Sequence, residues 1–86
     1  MNKKYQNSFS LLRQVMKKHG HEIVYLCGKY YVIGENVSDS NIELTNTSII
    51  VNIFQDEYCP IFRSYIMSKK ITYIITLNSN KIIKIS

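Results

Sequence analysis

Two histidines one residue apart, His19 and His21, with Glu22 beside them and Cys27 a short way downstream, are the first residues here that could hold a metal ion. Imidazole, carboxylate and thiolate all bind zinc, but a site needs three or four converging ligands, and no C-x-x-C or H-x₃-H spacing accompanies these. The plainer expectation is that His19 completes an apolar helix face, that His21 sits in a polar turn, and that Cys27 lies in a core strand. Cys59 is the second candidate, as a nucleophile. It follows Asp56 and Glu57, and nearby negative charge raises a thiol's pKa, whereas a reactive thiolate needs a positive neighbour. Asp56 and Glu57 are adjacent, so on a strand they point to opposite faces and do not pair as glycosidase carboxylates do. Neither a Walker loop nor a G-x-G-x-x-G turn is present. These residues disfavour catalysis, and no cofactor or metal is expected.

Basic and aromatic residues are interleaved. Tyr25, Tyr30, Tyr31, Tyr65 and Tyr73, with Lys29, Arg63, Lys69, Lys70, Lys81 and Lys84 around them, would make a stacking platform with phosphate contacts if they shared a face. The alternative is that the tyrosines fill a β core or its rim. The net charge of +5 is segregated along the chain. Lys3, Lys4, Arg13, Lys17 and Lys18 precede residue 20 without an acid. Glu22, Glu35, Asp39, Glu43, Asp56 and Glu57 fill the middle against Lys29 alone. Arg63, Lys69, Lys70, Lys81 and Lys84 follow, again without an acid. Such segregation allows Lys3, Lys4, Arg13, Lys17, Lys18, Lys81 and Lys84 to form one basic surface, and equally allows them to pair with the acidic middle. Ala and Trp are absent while Ile, Lys, Asn and Tyr are plentiful. Those four have AT-rich codons, so part of this composition reflects coding bias.

The elements that must position these side chains follow from periodicity. Tyr5, Phe9, Leu12, Val15, Met16 and His19 fall on one arc at 100° per residue, predicting a helix over about 4–19 closed by Gly20. β-branched and aromatic residues then predict a hairpin over 22–33 turning at Gly28. Residues 34–40 read as a polar loop, and 41–54 as a second hairpin whose Ile49, Val51 and Ile53 share a face. Gln55–Pro60 reads as a break. Ile61–Met67 has helical spacing but strand-like residue types, so both a strand and a short helix within 60–69 stay open. Residues 71–85 form a last hairpin turning at Asn78-Ser79-Asn80. The fold class is α+β: one domain over 1–86, an N-terminal amphipathic helix packed on a mainly antiparallel, meander-like sheet of five to seven strands.

Residues 11–34, a helix ending in Lys17-Lys18-His19-Gly20 and then a hairpin turning at Gly28, loosely resemble the opening of the HicA-type messenger-RNA interferase toxins. That family carries a Ser-His-His-like stretch with the catalytic histidine after the glycine turn, and a helix further on. This chain has Lys29-Tyr30-Tyr31 there, and its downstream residues read as strands.

With 86 residues there is one modest core and little room for an internal cofactor. No apolar run approaches the ~18 residues of a membrane span, and none follows the basic start as a secretory signal requires. Two cysteines suggest reduced thiols and a cytoplasmic setting. The expected function is a small non-enzymatic binding protein acting through protein–protein contact. An inhibitor or regulator of a larger macromolecular machine, of the kind phages and mobile elements carry, fits its size and charge. The expected anchors are Lys29, Tyr30, Tyr31, Tyr58, Arg63, Tyr65, Lys69 and Lys70. An RNA- or DNA-binding domain using a basic, tyrosine-rich sheet face is the alternative, and a small nuclease-like toxin using His19 and His21 the third reading. Homodimerisation through exposed edge strands is compatible with each.

Overall fold

Phe9, Leu12 and Met16 recur at spacings of three and four, and burying them drives the helix α1, Lys3–Lys18, onto a sheet. The computed structural model describes residues 3–86, and of Lys3, Lys4 and Ser68 the backbone alone. Six antiparallel strands follow the helix: β1 Glu22–Leu26, β2 Lys29–Ile33, β3 Val37–Leu44, β4 Ser48–Cys59, β5 Ser64–Thr76 and β6 Ile82–Ile85. β1 and β2 pair with each other, and β3-β4-β5-β6 form a four-stranded meander. The α+β architecture expected from the sequence is the one found. Among the described residues no helix is long and apolar enough to cross a membrane.

The core lies between α1 and one face of the meander. Ile49, Val51 and Ile53 from β4 alternate inward with Ile71, Tyr73 and Ile75 from β5, and all are buried. Ile23 and Val32 close the core from the first hairpin. Each fully buried Leu or Ile contributes roughly 1.5–3 kcal/mol, so this cluster dominates the stability of so short a chain. Two hydrogen bonds fasten the helix to the loops. Ser8, buried in the middle of α1, donates to Asn80 Oδ1 at 2.7 Å, and the Tyr5 hydroxyl donates to the Thr45 carbonyl at 2.6 Å.

The helix closes as a Schellman motif. Gly20 takes φ +82°, its N–H donates to the Lys17 carbonyl at 3.1 Å, and the His21 N–H donates to the Met16 carbonyl at 3.0 Å. This reversal turns His21 inward and leaves His19 exposed, the opposite of the expected placement. Gly34 packs against the same corner so closely that a Cβ there would lie 2.8 Å from the Gly20 carbonyl oxygen.

Further corrections follow from strand pairing. Cys27 is exposed, not core: with φ 51° it shares a two-residue hairpin turn with Gly28 at φ 81°, both central residues left-handed as a type I′ turn requires. β3 begins at Val37, inside the segment expected to be loop. Residues 55–59 continue β4 instead of breaking it, because β5 pairs with them as far as Cys59↔Ser64. Ile61 and Phe62 belong to the turn at 60–63, so 60–69 holds a turn and the start of β5 and no short helix.

A projecting arm with an apolar face

β4 and β5 outrun their neighbours. β3 pairs with β4 no further than Gln55, and β6 pairs with β5 only over Thr72–Ile75. Past a last backbone hydrogen bond from the Asp56 N–H to the Asn36 carbonyl at 2.8 Å, residues 56–68 form a two-stranded ribbon with no third strand paired to it among the described residues. Four residues of β4 beyond Gln55 extend it by roughly 13 Å, with the turn in addition. The molecule is correspondingly elongated, 48 × 28 × 22 Å. At the base of this arm the register slips: Gln55 faces Lys69 but Asp56 faces Met67, so Ser68 is inserted as a β-bulge.

Register sorts the arm's side chains. Asp56/Met67 and Tyr58/Tyr65 are cross-strand pairs on one face, and Glu57/Ile66 and Cys59/Ser64 lie on the other. Tyr58 and Tyr65 meet edge to face, ring centroids 5.4 Å apart at 63°. Both are more than half exposed, as are Met67 at 63%, Phe62 at 70% and Ile61 at 86%. Pro60, Ile61, Phe62 and Arg63 form the tip, where Arg63 takes φ 53°. Behind it Lys70 lies 5.8 Å from the centre of the Phe54 ring, a cation–π contact at the arm's root.

Five of the expected anchors thus come together: Tyr58, Arg63, Tyr65, Lys69 and Lys70. Lys29, Tyr30 and Tyr31 belong to the other hairpin. Tyr30 packs on Phe9 at 5.2 Å and on Tyr25 at 4.8 Å. With Lys29 it lines a cleft of about 330 Å³ shared with Ser40 and Ile42. Tyr31 is on the opposite face from Tyr30, across from Val24. Tyr73, expected on a stacking platform, is fully buried at the centre of β5. Sequence reasoning missed Ile61, Phe62 and Met67. The signal was Pro60 between two strand-like runs, which marks a hairpin tip.

The basic residues are distributed over several places. Lys84 on β6 and His19 at the helix end both act electrostatically on His21. Arg13 Nη2 donates to the Ile23 carbonyl at 3.4 Å, and Arg13 and Lys17 line one cleft with Glu22. Glu35 borders a neighbouring cleft with His19 and His21. Acids of the middle segment are therefore interleaved with this basic set. Lys18 is exposed, and Lys81 sits in the β5–β6 turn, where its carbonyl accepts from the Thr76 N–H at 2.9 Å. The side chains of Lys3 and Lys4 lie outside the described residues.

His21 is held as a structural group. Its Nδ1 lies 2.9 Å from the Tyr73 hydroxyl, and Gln55 Nε2 approaches its Nε2 at 3.4 Å. The same Gln55 nitrogen donates to the Glu35 carbonyl at 3.4 Å, which fixes it as the amide donor. His21 Nε2 is therefore an acceptor, and Nδ1–H donates to Tyr73. A second proton on the ring would face the Gln55 N–H. Burial lowers the His21 pKa from 6.5, helped by the charges of Lys84 and His19. Burial likewise raises that of Tyr73 above 10.0. Among the described residues no three His, Cys, Asp or Glu side chains converge to hold a metal ion. Cys27 and Cys59 are free thiols.

Comparison with known proteins returns no match: no family model, no curated protein and no solved structure is similar to this chain. Downstream of Gly34 the chain is built of strands, where the HicA-type toxins have a helix.

Proposed function

We propose that this chain is a non-enzymatic binding protein that acts through protein–protein contact, with the β4–β5 arm as its contact surface. The observation that carries the reading is a ribbon with no third strand along it among the described residues, exposing Tyr58, Ile61, Phe62, Tyr65 and Met67 together. A lone two-stranded hairpin is marginal in water, and apolar side chains that cover no core are a cost unless something binds them. At about 200 Å² per aromatic side chain, the exposed parts of Tyr58, Phe62 and Tyr65 alone come to roughly 350 Å². That already matches the largest apolar patch of a typical monomer, about 300–600 Å². The arm is rimmed by both signs of charge, Asp56 and Glu57 against Arg63, Lys69 and Lys70. This is the polar rim around aromatic anchors that protein interfaces use. Two carboxylates on the same arm weigh against a nucleic-acid phosphate backbone as the ligand, and the interior bonding of His21 weighs against a nuclease role for it.

The test is affinity capture with the wild type and with a Tyr58→Ser/Phe62→Ser/Tyr65→Ser variant, at low and at physiological salt. The expected result is a protein partner at stoichiometric level, retained at physiological salt and lost with the variant. Recovery of nucleic acid alone, falling steeply with salt, would reject the reading.

A further inference from the structure

We infer that the tyrosine face of the arm docks against the same face of a second copy of this chain, the two arms crossing antiparallel about a two-fold axis at Tyr58/Tyr65. This rests on the arm being a contact surface, and it names the occupant.

The order of charged and aromatic groups along the arm suits it to a second copy of itself. Asp56 stands two residues to the root side of Tyr58, and Arg63 two residues to the tip side of Tyr65. Residues two apart on a strand are separated by about 6.6–7 Å. The tyrosine pair thus has an acid about that far towards the root, on β4, and an arginine towards the tip, in the turn that precedes β5. A two-fold axis through the tyrosines, lying in the contact plane across the arm, exchanges root and tip. It brings Asp56 of each copy towards Arg63 of the other, with four tyrosine rings between the two charge pairs. A two-fold interface must be self-complementary in this way, because one patch supplies both sides. An unrelated partner imposes no such symmetry on the arm.

The edge of the arm is guarded while its face is not. Lys69 and Lys70 sit on β5, and the bulge at Ser68 breaks the regular run of backbone groups. These are the devices by which edge strands resist pairing with another chain. Contact therefore falls to the tyrosine face and not to strand addition. The arm offers about 13 residues, fewer than the 20–30 per side of a standard interface, so the dimer is concentration-dependent.

The experiment is sedimentation equilibrium on the full chain from about 10 μM to about 1 mM, the range in which so small an interface would assemble. Wild type is compared with Asp56→Arg, Arg63→Asp, the double exchange Asp56→Arg/Arg63→Asp, and Tyr58→Ser/Tyr65→Ser. Circular dichroism melts confirm that each is folded. Wild type should dimerise, each single reversal should weaken the dimer at least about tenfold, and the double exchange should restore it to within about threefold. The serine pair should be monomeric. Wild type monomeric throughout, single reversals without effect, or a double exchange no better than the singles would each overturn the second-copy assignment. If wild type is monomeric but the serine variant still loses its captured protein, this inference fails while the arm's role in binding another protein stands.

Discussion

Replacing Tyr73 by Phe removes one oxygen from a fully buried ring and leaves its place in the core beside Val51, its cross-strand partner, otherwise intact. What it takes away is the acceptor for His21 Nδ1–H, 2.9 Å distant. His21 is 5% exposed, so water cannot readily replace that acceptor. A buried donor left without a partner costs about 1–3 kcal/mol. For a domain of this length each kcal/mol moves the melting temperature by about 4–8 °C, so the expected fall is roughly 4–24 °C. The assay is thermal and urea denaturation followed by circular dichroism above neutral pH, where His21 is uncharged. Tyr5→Phe is the internal control. It also deletes a bonded hydroxyl, but on the exposed side, and the Thr45 carbonyl it leaves is reached by water, so its cost should stay below about 1 kcal/mol. If Tyr73→Phe and Tyr5→Phe melt together within error, the hydrogen-bond assignment at His21 is wrong.

The same corner sets a pH dependence. Because the folded pKa of His21 lies below its unfolded value of 6.5, the unfolded chain binds the proton first as pH falls. The stability held by neutral His21 should be complete above about pH 6.5 and lost progressively below it, until the folded-state pKa is passed and the loss levels off. An NMR titration of the imidazole should place His21 below 6.5, and a value above it would contradict the account. Gly34→Ala should destabilise by about 1–3 kcal/mol, since its Cβ meets the Gly20 carbonyl at 2.8 Å and the helix end cannot move aside freely. A neutral or stabilising effect in urea titrations would show that the corner is looser than drawn. The Tyr58→Ser/Phe62→Ser/Tyr65→Ser variant should lower the unfolding free energy by no more than about 2 kcal/mol, chiefly through loss of the edge-to-face Tyr58/Tyr65 pair, because these side chains cover no core. A loss of several kcal/mol would return the arm to the core.

The parts of the fold visible in the sequence are those where burial imposes a period. Phe9, Leu12 and Met16 announce the helix, and Ile49, Val51 and Ile53 the buried face of β4. The arm was hidden because both its faces meet solvent, so Gln55-Asp56-Glu57 lacks the alternation that identifies a half-buried strand. Its true signal is pairing with residues 64–67, a non-local property. Ile61 and Phe62 were read as part of a strand or short helix by spacing and residue type, whereas a turn places them at the outermost point. The histidines were interchanged because the Schellman reversal acts after the helical period has ended. Nothing in residues 16–21 shows which of the two would hydrogen-bond Tyr73, since both rings come to lie beside it. Ser8 falls within the helix's buried arc although polar, and Asn80, 72 positions away, is what makes that tolerable.

Site-specific photocrosslinking tests the contact surface most directly. A photoreactive phenylalanine analogue is placed at Phe62 or Tyr65 on the arm, or at Gln14 on the exposed side of α1, and the protein is irradiated in the lysate of its host. Protein adducts should form from the two arm positions and not from Gln14. Adducts from Gln14 with none from the arm would place the working surface on the helix and contradict the account.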